Sequence, residues 1–423
     1  MSGLPRLGIS EGRRHLVDEQ GKPWYWLGDT AWEIFHRLTR EEVDLYLMTR
    51  ASQGFNVVQA VALAELDGLR TPNRYGDLPL LNEDPATPDI TGDFWGHVNY
   101  VFDKAASLGI FIGLVPTWGD KVSSAWGSGP VVFNESNARQ YGQFLSERYG
   151  DRENLIWING GDREPLDKGN VWRALARGLR DSESFRHLMT FHPQGECTSS
   201  EDFHGEDWID FNMMQTGHGS TPLQHITRMS NACYGRQPSM PFLDGEPRYE
   251  NHPKEFNFHK GYFDDADVRQ ATYISLFCGG CGVTYGCHAI WQFASYLNPP
   301  INNPISDWQN SLHLPGVSQM KIQKDLMLSL PWLETHPNHA VLKDNSPYHA
   351  LTTEDLGRCY VYNHDGGRVA LTTREASQVK SVSAFDTRTG KWSNDVPQLD
   401  SRTWEPPKSN SRVNDWVMLF ERG

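Results

Sequence analysis

The chain has 423 residues, of which 53 are acidic and 39 are basic, so its formal net charge is −14. An acidic chain without a basic run argues against nucleic acid or an anionic membrane surface as its partner. No stretch approaches the roughly 20 consecutive apolar residues that a membrane-spanning helix needs. With 38% hydrophobic and 22% charged residues, the composition is typical of a globular protein with a sizeable core.

The N-terminal residues and the cysteines bear on the cellular compartment of the protein and on metal binding. Residues 1–10 lack the apolar core of a signal peptide, so the sequence as given predicts a cytoplasmic protein, or an exported one if a leader has been removed. Six cysteines in so long a chain do not make a disulfide framework. Cys278-x-x-Cys281 and Cys287 lack a second pair of ligands at a zinc-site spacing, so we expect small residues packed between a helix end and a strand.

Eight strand-like runs alternate with helical segments between residues 24 and 330, after a short ribbon at 13–22. The predicted strands cover residues 24–32, 55–62, 110–118, 155–158, 187–193, 211–215 and 241–244, and an eighth begins at Gly282. The predicted helices cover residues 40–53, 94–108, 135–149, 171–180, 223–233, 265–277 and 319–328. A capping box at Thr39–Glu42 opens the first helix, and Asn134 caps the third. The alternation predicts an α/β protein with a (β/α)₈ TIM barrel over residues 10–332.

Two further segments differ from this alternation. Residues 333–423 carry short strand-like runs at 359–362, 369–372, 382–385 and 416–420, separated by turns, and predict a small all-β sandwich domain. The polar, Pro-rich residues 66–91 are too many for an ordinary βα loop. We therefore expect them to form a lid or a wall of a cleft.

Two carboxylates occupy matching places in the predicted barrel. Asp162 follows the fourth strand and two glycines, and Glu246 follows the seventh strand and one glycine. A lone carboxylate at a strand end is more often a helix cap or the partner of an arginine. These two lie about three βα units apart at the same rim. Glycoside cleavage needs such a pair, one acid that protonates the leaving oxygen and a second that attacks the sugar or activates water.

Polar and aromatic side chains follow the other strands and suit a ligand with many hydroxyl groups, because indole rings stack on sugars and polar groups bind hydroxyls. Each is a weak signal alone, since an isolated His or Gln at a barrel mouth often only satisfies backbone groups. Arg248 has an added predicted role, because a nearby cation keeps Glu246 ionised. The predicted substrate-binding residues are Asp29, Trp32, Gln59, Trp118, His192, Gln215, His218, Arg248, His288 and Trp291.

Two alternatives remain open beside a carbohydrate-cleaving enzyme. His192, His218 and His288 with Asp29 could bind a metal in a barrel hydrolase, although the first strand lacks the His-x-His that such barrels typically carry. The chain could also be a carbohydrate-binding protein without catalysis, which would keep the aromatic mouth and lose one acid. Nucleophilic serine chemistry is disfavoured because no Gly-x-Ser-x-Gly motif occurs. The two-acid interpretation needs no cofactor and no metal.

Five ordered motifs resemble the apiosidase-like barrels of glycoside hydrolase family 140, over about residues 13–330. They are Trp26–Trp32, Gly54–Gln59, Trp157–Asp162, Asp244–Pro247 and Tyr285–Gln292. In that family the acid/base is the Asp of the Asn-Gly-Gly-Asp motif and the nucleophile is the Glu of the Asp-Gly-Glu-Pro motif. The resemblance places these roles on Asp162 and Glu246.

The resemblance also implies a retaining exo-glycosidase that releases a terminal sugar from plant-derived glycosides or oligosaccharides, with a pentofuranose such as apiose as one candidate. The segment 385–392 is similar to part of the β-sandwich that commonly follows these barrels and is often labelled a collagen-binding domain, although nothing in this sequence indicates collagen. Members of the family are often exported, in contrast to the expectation from residues 1–10.

Overall fold

The computed structural model describes residues 3–219 and 221–422. The strands before residue 330 are β1 (Gly8–Ile9), β2 (Leu16–Val17), β3 (Trp26–Thr30), β4 (Val57–Leu63), β5 (Phe111–Thr117), β6 (Leu155–Gly160), β7 (Met189–His192), β8 (Cys197–Thr198), β9 (Asn212–Gln215), β10 (Phe242–Asp244) and β11 (Gly282–Tyr285). The helices over the same range are α1 (Ile34–Arg37), α2 (Arg40–Ser52), α3 (Phe94–Ser107), α4 (Glu135–Tyr149), α5 (Gly169–Arg180), α6 (Leu223–Gly235), α7 (Asp265–Phe277), α8 (His288–Trp291) and α9 (Pro315–Ser329).

Eight parallel strands of the described chain form one sheet in the order β7-β6-β5-β4-β3-β11-β10-β9, and β8 adds to its edge antiparallel to β9. The two outer parallel strands approach each other, because the Asp210 N–H donates to the Met189 carbonyl at 2.8 Å and the Thr190 hydroxyl donates to the Phe211 carbonyl at 2.6 Å. The sheet is therefore a nearly closed barrel, and the predicted fold class is confirmed.

Local sequence signals account for most of these elements. The parallel strands are covered on both faces, so they are continuous apolar runs, and every residue of β4 and β5 is buried. Helix α2 starts with the predicted capping box, in which the Thr39 side chain accepts from the Glu42 N–H and the Glu42 side chain accepts from the Thr39 N–H. Asn134 caps α4 in the same reciprocal way with Asn137. Both predicted caps are confirmed.

The cysteine-rich segment between α7 and α8 packs in the interior. Cys278, Cys281 and Cys287 are free and buried, as are Cys233 and Cys359. Cys278 follows the last residue of α7, and Cys281 and Cys287 flank β11. The predicted packing between a helix end and a strand is confirmed. Among the described residues, no group of three or more His, Cys, Asp or Glu is arranged to hold a metal ion.

After α9 the chain forms two antiparallel sheets. They contain β12 (Thr335–Pro337), β13 (His349–Thr353), β14 (Arg358–Asn363), β15 (Val369–Ala370), β16 (Val379–Asp386), β17 (Trp392–Ser393), β18 (Gln398–Asp400), β19 (Thr403–Trp404) and β20 (Trp416–Arg422), with the short helix α10 (Thr373–Ala376). The strand orders are β12-β13-β14-β20-β16-β17 and β15-β19-β18. A core that includes Val361, Trp404 and Met418 lies among these strands, in agreement with the predicted sandwich.

The C-terminal sheets contact the barrel through a buried ion pair. The Arg269 guanidinium of α7 donates to both carboxylate oxygens of Asp415 at 2.7 and 2.8 Å, and both side chains are fully buried. Tyr362 and Thr387 donate hydroxyl hydrogen bonds to the same carboxylate. These bonds compensate for the removal of two charges from water, which is costly when either partner is missing. No helix in the part of the chain that the structure describes is long and apolar enough to cross a membrane.

Candidate active site

A cavity of about 690 Å³ opens at the carboxyl ends of the parallel strands. This end of a barrel is where the βα loops converge, and the volume is typical of a site for a small molecule. The cavity brings together seven of the side chains predicted from the sequence, namely Trp32, Trp118, Asp162, Gln215, His218, Glu246 and Trp291. The two predicted acids therefore share one aromatic-walled cavity.

The backbone that carries Asp162 has an unusual conformation. Strand β6 ends at Gly160, and the φ angles of Gly160, Gly161 and Asp162 are 87°, 138° and 54°. A side chain at Gly160 would collide with the His192 carbonyl and the Phe191 ring. Asp tolerates the left-handed region better than most residues, because its short polar side chain adapts to it. The two glycines thus permit a sharp turn that directs the Asp162 side chain into the cavity.

Trp126 binds the carboxylate of Asp162 from the loop after β5. Its indole Nε1–H donates to Oδ2 of Asp162 at 2.7 Å, although 46% of the Trp126 residue is exposed. The Arg163 guanidinium lies 4.1 Å from the centre of the Trp126 ring and donates to the Trp126 carbonyl. Arg163 thereby holds the indole over the acid through a cation–π contact and a hydrogen bond.

Burial, followed by the negative charge of Glu246, raises the pKa of Asp162 to about 6. The hydrogen bond from Trp126 and the charges of His192 and Arg163 oppose this rise only in part. Oδ2 lies 3.8 Å from the Arg163 guanidinium, too far for a hydrogen bond. This long ion pair does not offset the burial of Asp162, which keeps a proton more strongly than a carboxyl group in water.

Glu246 has the opposite environment. It follows β10 and Gly245. A side chain at position 245 would collide with Met213. The Nε2 atom of His218 lies 3.0 Å from Oε1 of Glu246, and the Nε2 atom of His192 lies 3.1 Å from Oε2. Burial opposes ionisation of Glu246, but the hydrogen bonds and charges of the two histidines outweigh it and lower its pKa to about 2.

His192 lies between the two acids. Its Nδ1 atom is 3.4 Å from the backbone nitrogen of Asp162, and its Nε2 atom faces Glu246. The rings of Trp32 and Trp118 pack against the imidazole, with centroids 5.4 and 5.7 Å away. A single fully buried ring thus contacts both acidic segments and has little freedom to move. The geometry suits chemistry in which one carboxyl group stays protonated and the other stays ionised below about pH 6.

Two family models match the chain. The model described as "Apiosidase-like, catalytic domain" matches residues 10–334. The chain belongs to the apiosidase-like family. A second model, described as "Putative collagen-binding domain of a collagenase", matches residues 337–421. The resemblance that the five motifs predicted is thereby confirmed for the barrel, and the C-terminal match agrees with the predicted companion domain.

Solved structures similar to this apiosidase-like chain are glycoside hydrolases. One described only as a glycoside hydrolase has 30% identity and a TM-score of 0.88 and covers 100% of this chain and 99% of its own. A glycoside hydrolase family 5 protein from Bacteroides vulgatus has 31% identity and a TM-score of 0.86, with coverage of 100% and 95%. A family 5 mannosidase from Rhizomucor miehei, at 11% identity and a TM-score of 0.52, shares the fold over 78% of this chain and 99% of its own. A search of curated proteins gave no match.

These findings make the protein a glycoside hydrolase with a carbohydrate substrate. Five sequence-predicted residues of the apiosidase-like barrel nevertheless lie outside the cavity lining, namely Asp29, Gln59, His192, Arg248 and His288. Asp29 is fully buried, and it accepts from Arg50 at 2.5 Å and from the Tyr46 hydroxyl at 2.6 Å. The prediction that Asp29 binds substrate is corrected, because its carboxylate pairs with helix α2 on the outer side of the barrel. The proposed metal set of Asp29 with three histidines is not assembled for the same reason.

Arg248 and Gln59 also lie outside the cavity lining. The Arg248 guanidinium donates to the Thr221 carbonyl at 2.6 Å and packs on the Phe263 ring. His218 hydrogen-bonds to Glu246 and His192 lies 3.1 Å from its other oxygen, so two histidines take the place predicted for the arginine. The Gln59 amide donates to the Gly245 carbonyl at 2.9 Å and so supports the backbone next to Glu246.

His288 supports the cavity from behind. Its Nε2 atom donates to the Asn302 carbonyl at 3.0 Å, which leaves Nδ1 to accept from the Trp291 indole at 3.2 Å. Burial lowers the pKa of His288 to about 4, so the ring is neutral near neutral pH. His288 therefore fixes Trp291, which does line the cavity, instead of binding substrate directly.

The sequence analysis missed several residues of the cavity. They are Glu65, Trp126, Gly127, Gly217, Gly219, Tyr249, His252, Glu255 and Phe256, together with the segments 194–196 and 301–302. Glu65 stands two residues after β4, a strand-end position that the acids of the other strands also occupy, and this signal was available. Trp126 lies in an irregular loop, where no periodicity marks it. Within the described chain, no residue of the predicted lid 66–91 lines the cavity. Leu69 and Leu80 are buried and anchor this largely exposed segment on the protein.

Proposed function

We propose that the protein is a retaining exo-glycosidase in which Asp162 is the acid/base and Glu246 the nucleophile. The observation that carries the proposal is one cavity with two carboxyl groups, of which one has a raised pKa of about 6 and the other a lowered pKa of about 2. Between these values, a protonated acid and an ionised nucleophile coexist without any change of conformation. The terminal sugar of a plant-derived glycoside, a pentofuranose such as apiose among the candidates, is the proposed substrate.

The reaction has two steps. In the first, a carboxylate oxygen of Glu246 attacks the anomeric carbon, the bond to the leaving oxygen breaks, and Asp162 gives that oxygen its proton. In the second, Asp162, now ionised, takes a proton from water, and the water oxygen displaces Glu246 from the anomeric carbon. Two displacements at the same carbon return the sugar with its original anomeric configuration.

The contacts around each acid support these roles. His192 and His218 hold both oxygens of Glu246, and this favours the anion and fixes its orientation before attack. Trp126 occupies Oδ2 of Asp162, so Oδ1, which has no hydrogen-bond partner in the described chain, is available for the leaving oxygen. Exo action is supported by the size of the cavity, which suits one or two sugar units, and by the indoles of Trp32 and Trp118 at its wall.

The test compares wild type with Asp162→Asn and Glu246→Gln on 4-nitrophenyl glycosides of neutral pentoses and hexoses. We expect Glu246→Gln to lose essentially all activity. We expect Asp162→Asn to lose about 10²–10⁴-fold on alkyl glycosides, which need a proton on the leaving oxygen, and less on nitrophenyl glycosides. Azide should restore turnover of the Asp162→Asn variant by replacing water in the second step.

Proton NMR of the first-formed sugar tests the stereochemistry. The proposal requires the anomer of the substrate to appear first and to equilibrate later with the other anomer. If the first product has the inverted configuration, Glu246 acts as a base on water and not as a nucleophile. Release of internal fragments from an oligosaccharide, in place of single terminal sugars, would contradict exo action.

A further inference from the structure

A third carboxyl group, that of Glu65, lines the same cavity as Asp162 and Glu246. It follows the end of β4 by two residues. In the part of the chain that the structure describes, its side chain makes no hydrogen bond and no ion pair, whereas Asp162 is bound by Trp126 and Glu246 by two histidines. A polar group that is largely buried in a cavity and not bound by protein is poised to bind what enters the cavity.

The groups that face Glu65 come from four neighbouring strand ends and are mostly acidic. They are Glu33 after β3, Asp120 and Lys121 after β5, Asp162 and Arg163 after β6, and Glu246 after β10.

The two cations have other partners. The Lys121 ammonium donates to Asp120 at 2.8 and 3.0 Å and to the Ala64 carbonyl at 2.7 Å, and the Arg163 guanidinium donates to the Asp162 carbonyl and stacks on an indole.

This environment keeps the Glu65 carboxyl group protonated. Burial, followed by the charges of Asp162 and Asp120, raises the pKa of Glu65 to about 8. A protonated carboxyl group has one O–H donor and a carbonyl acceptor, so it can bind a sugar hydroxyl in either sense.

The lining is rich in carboxyl groups. Within the described chain, no lysine or arginine lines the cavity, whereas Glu65, Asp162, Glu196, Glu246 and Glu255 do. Recognition of a sugar carboxylate normally uses an arginine or a lysine, because a bidentate or charge-assisted bond offsets the loss of hydration. A uronic acid in this cavity would place an anion among acids with no cation in contact.

Building on the proposed function, we propose that Glu65 is a specificity residue that selects an uncharged sugar. Its carboxyl O–H donates to a hydroxyl or ring oxygen of the bound sugar, and the acidic lining rejects sugars that carry a carboxylate. Glu65 takes no part in bond cleavage, so its removal should weaken binding and kcat/KM together without changing the anomer of the product.

The first experiment measures binding, which does not depend on turnover. Free neutral pentoses and hexoses and the matching uronic acids are titrated into wild type, Glu65→Gln, Glu65→Leu and the control Glu83→Gln, which changes a partly exposed acid that pairs with Arg70 outside the cavity. We expect the best neutral sugar to bind wild type at least tenfold more tightly than its uronic acid. Glu65→Leu should lose about tenfold in affinity, Glu65→Gln should lose less because it keeps a donor, and Glu83→Gln should match wild type.

The second experiment measures kcat/KM on neutral nitrophenyl glycosides between pH 5 and 10. Ionisation of Asp162 lowers kcat/KM above about pH 6, and ionisation of Glu65 should steepen the decline above about pH 8. In Glu65→Gln the second decline should be absent. This comparison stays informative if Glu65→Leu fails to fold, because Gln has nearly the shape of Glu.

The outcomes separate the two proposals. Sugar binding that is weakened by Glu65→Leu in a protein that hydrolyses no glycoside would overturn the glycosidase mechanism and retain Glu65 as a binding residue. Hydrolysis with unchanged affinity and an unchanged alkaline decline in the Glu65 variants would overturn the role of Glu65 alone. Equal binding of a neutral sugar and its uronic acid would refute the charge selection.

Discussion

Replacement of Asp162 by Asn should lower the activity of the protein and stabilise it at the same time. The pKa of Asp162 is about 6 in the folded state against an ordinary value of 3.8, a difference of about two pH units. Each unit corresponds to about 1.4 kcal/mol. Because the folded state holds the proton more strongly, ionisation of Asp162 costs stability as the pH rises through 6. Asn cannot ionise, so the variant should gain about 3 kcal/mol in the free energy of unfolding at pH 7 and almost none below pH 4.

Thermal unfolding measures this gain. For a chain of 423 residues, an unfolding entropy of about 2 cal/mol/K per residue makes 3 kcal/mol worth about 3 °C in melting temperature. Asn also tolerates the positive φ of 54° at this position. Asp167→Asn, an exposed change in the same loop, is the control and should leave the melting temperature unchanged at both pH values. Equal melting temperatures of wild type and Asp162→Asn at pH 7, or the same gain at pH 4, would refute the assigned pKa.

Three further variants probe contacts of the site and the core. Trp126→Phe removes a hydrogen bond that lowers the pKa of Asp162, so the alkaline decline of kcat/KM should move to higher pH; a decline at unchanged pH would contradict this. Arg50→Met leaves the Asp29 carboxylate buried without its cation. Urea denaturation should therefore show that the free energy of unfolding falls by about 3–5 kcal/mol. A fall of less than about 1 kcal/mol would contradict the burial of this pair. His97 is fully buried, and burial lowers its pKa to about 4. Wild type should therefore lose about 2 kcal/mol in the free energy of unfolding between pH 7 and pH 5 that His97→Met does not lose. An equal loss in both proteins would show that His97 is accessible to protons in the folded state.

Regular features of the barrel were predictable because they repeat. The strands and helices alternate with clear caps, such as those at Thr39 and Asn134, and the acids Asp162 and Glu246 follow strands and glycines. The prediction for Asp29 failed through the alternation of side chains along a strand. Trp26 and Gly28 face Thr284 inside the barrel, so the next residue points outward to α2. A shift of one residue along the strand moves a side chain from the inside of the barrel to the layer of outer helices.

The sequence did not predict the electrostatic partners of Glu246 or the loop contact between Trp126 and Asp162. Arg248, two residues after Glu246, was the natural candidate for its stabilising cation, but its guanidinium points instead to the Thr221 carbonyl and the Phe263 ring. The groups that hold Glu246 are His192, at the end of β7, and His218, after β9, and only the folded barrel brings them together. Trp126 reaches Asp162 from a loop with no repeating pattern, and its place depends on the packing of Arg163 beneath it.

The buried pair of Arg269 and Asp415 makes the C-terminal sheets part of the same folding unit as the barrel. A barrel cut free after α9 would leave the Arg269 guanidinium with Asp265 and Gln319 as partners but without Asp415, and the severed sheets would keep the Asp415 carboxylate without its cation. Exchange of such β-domains between related enzymes must therefore carry both halves of this contact, or the hybrid will melt before its activity can be compared.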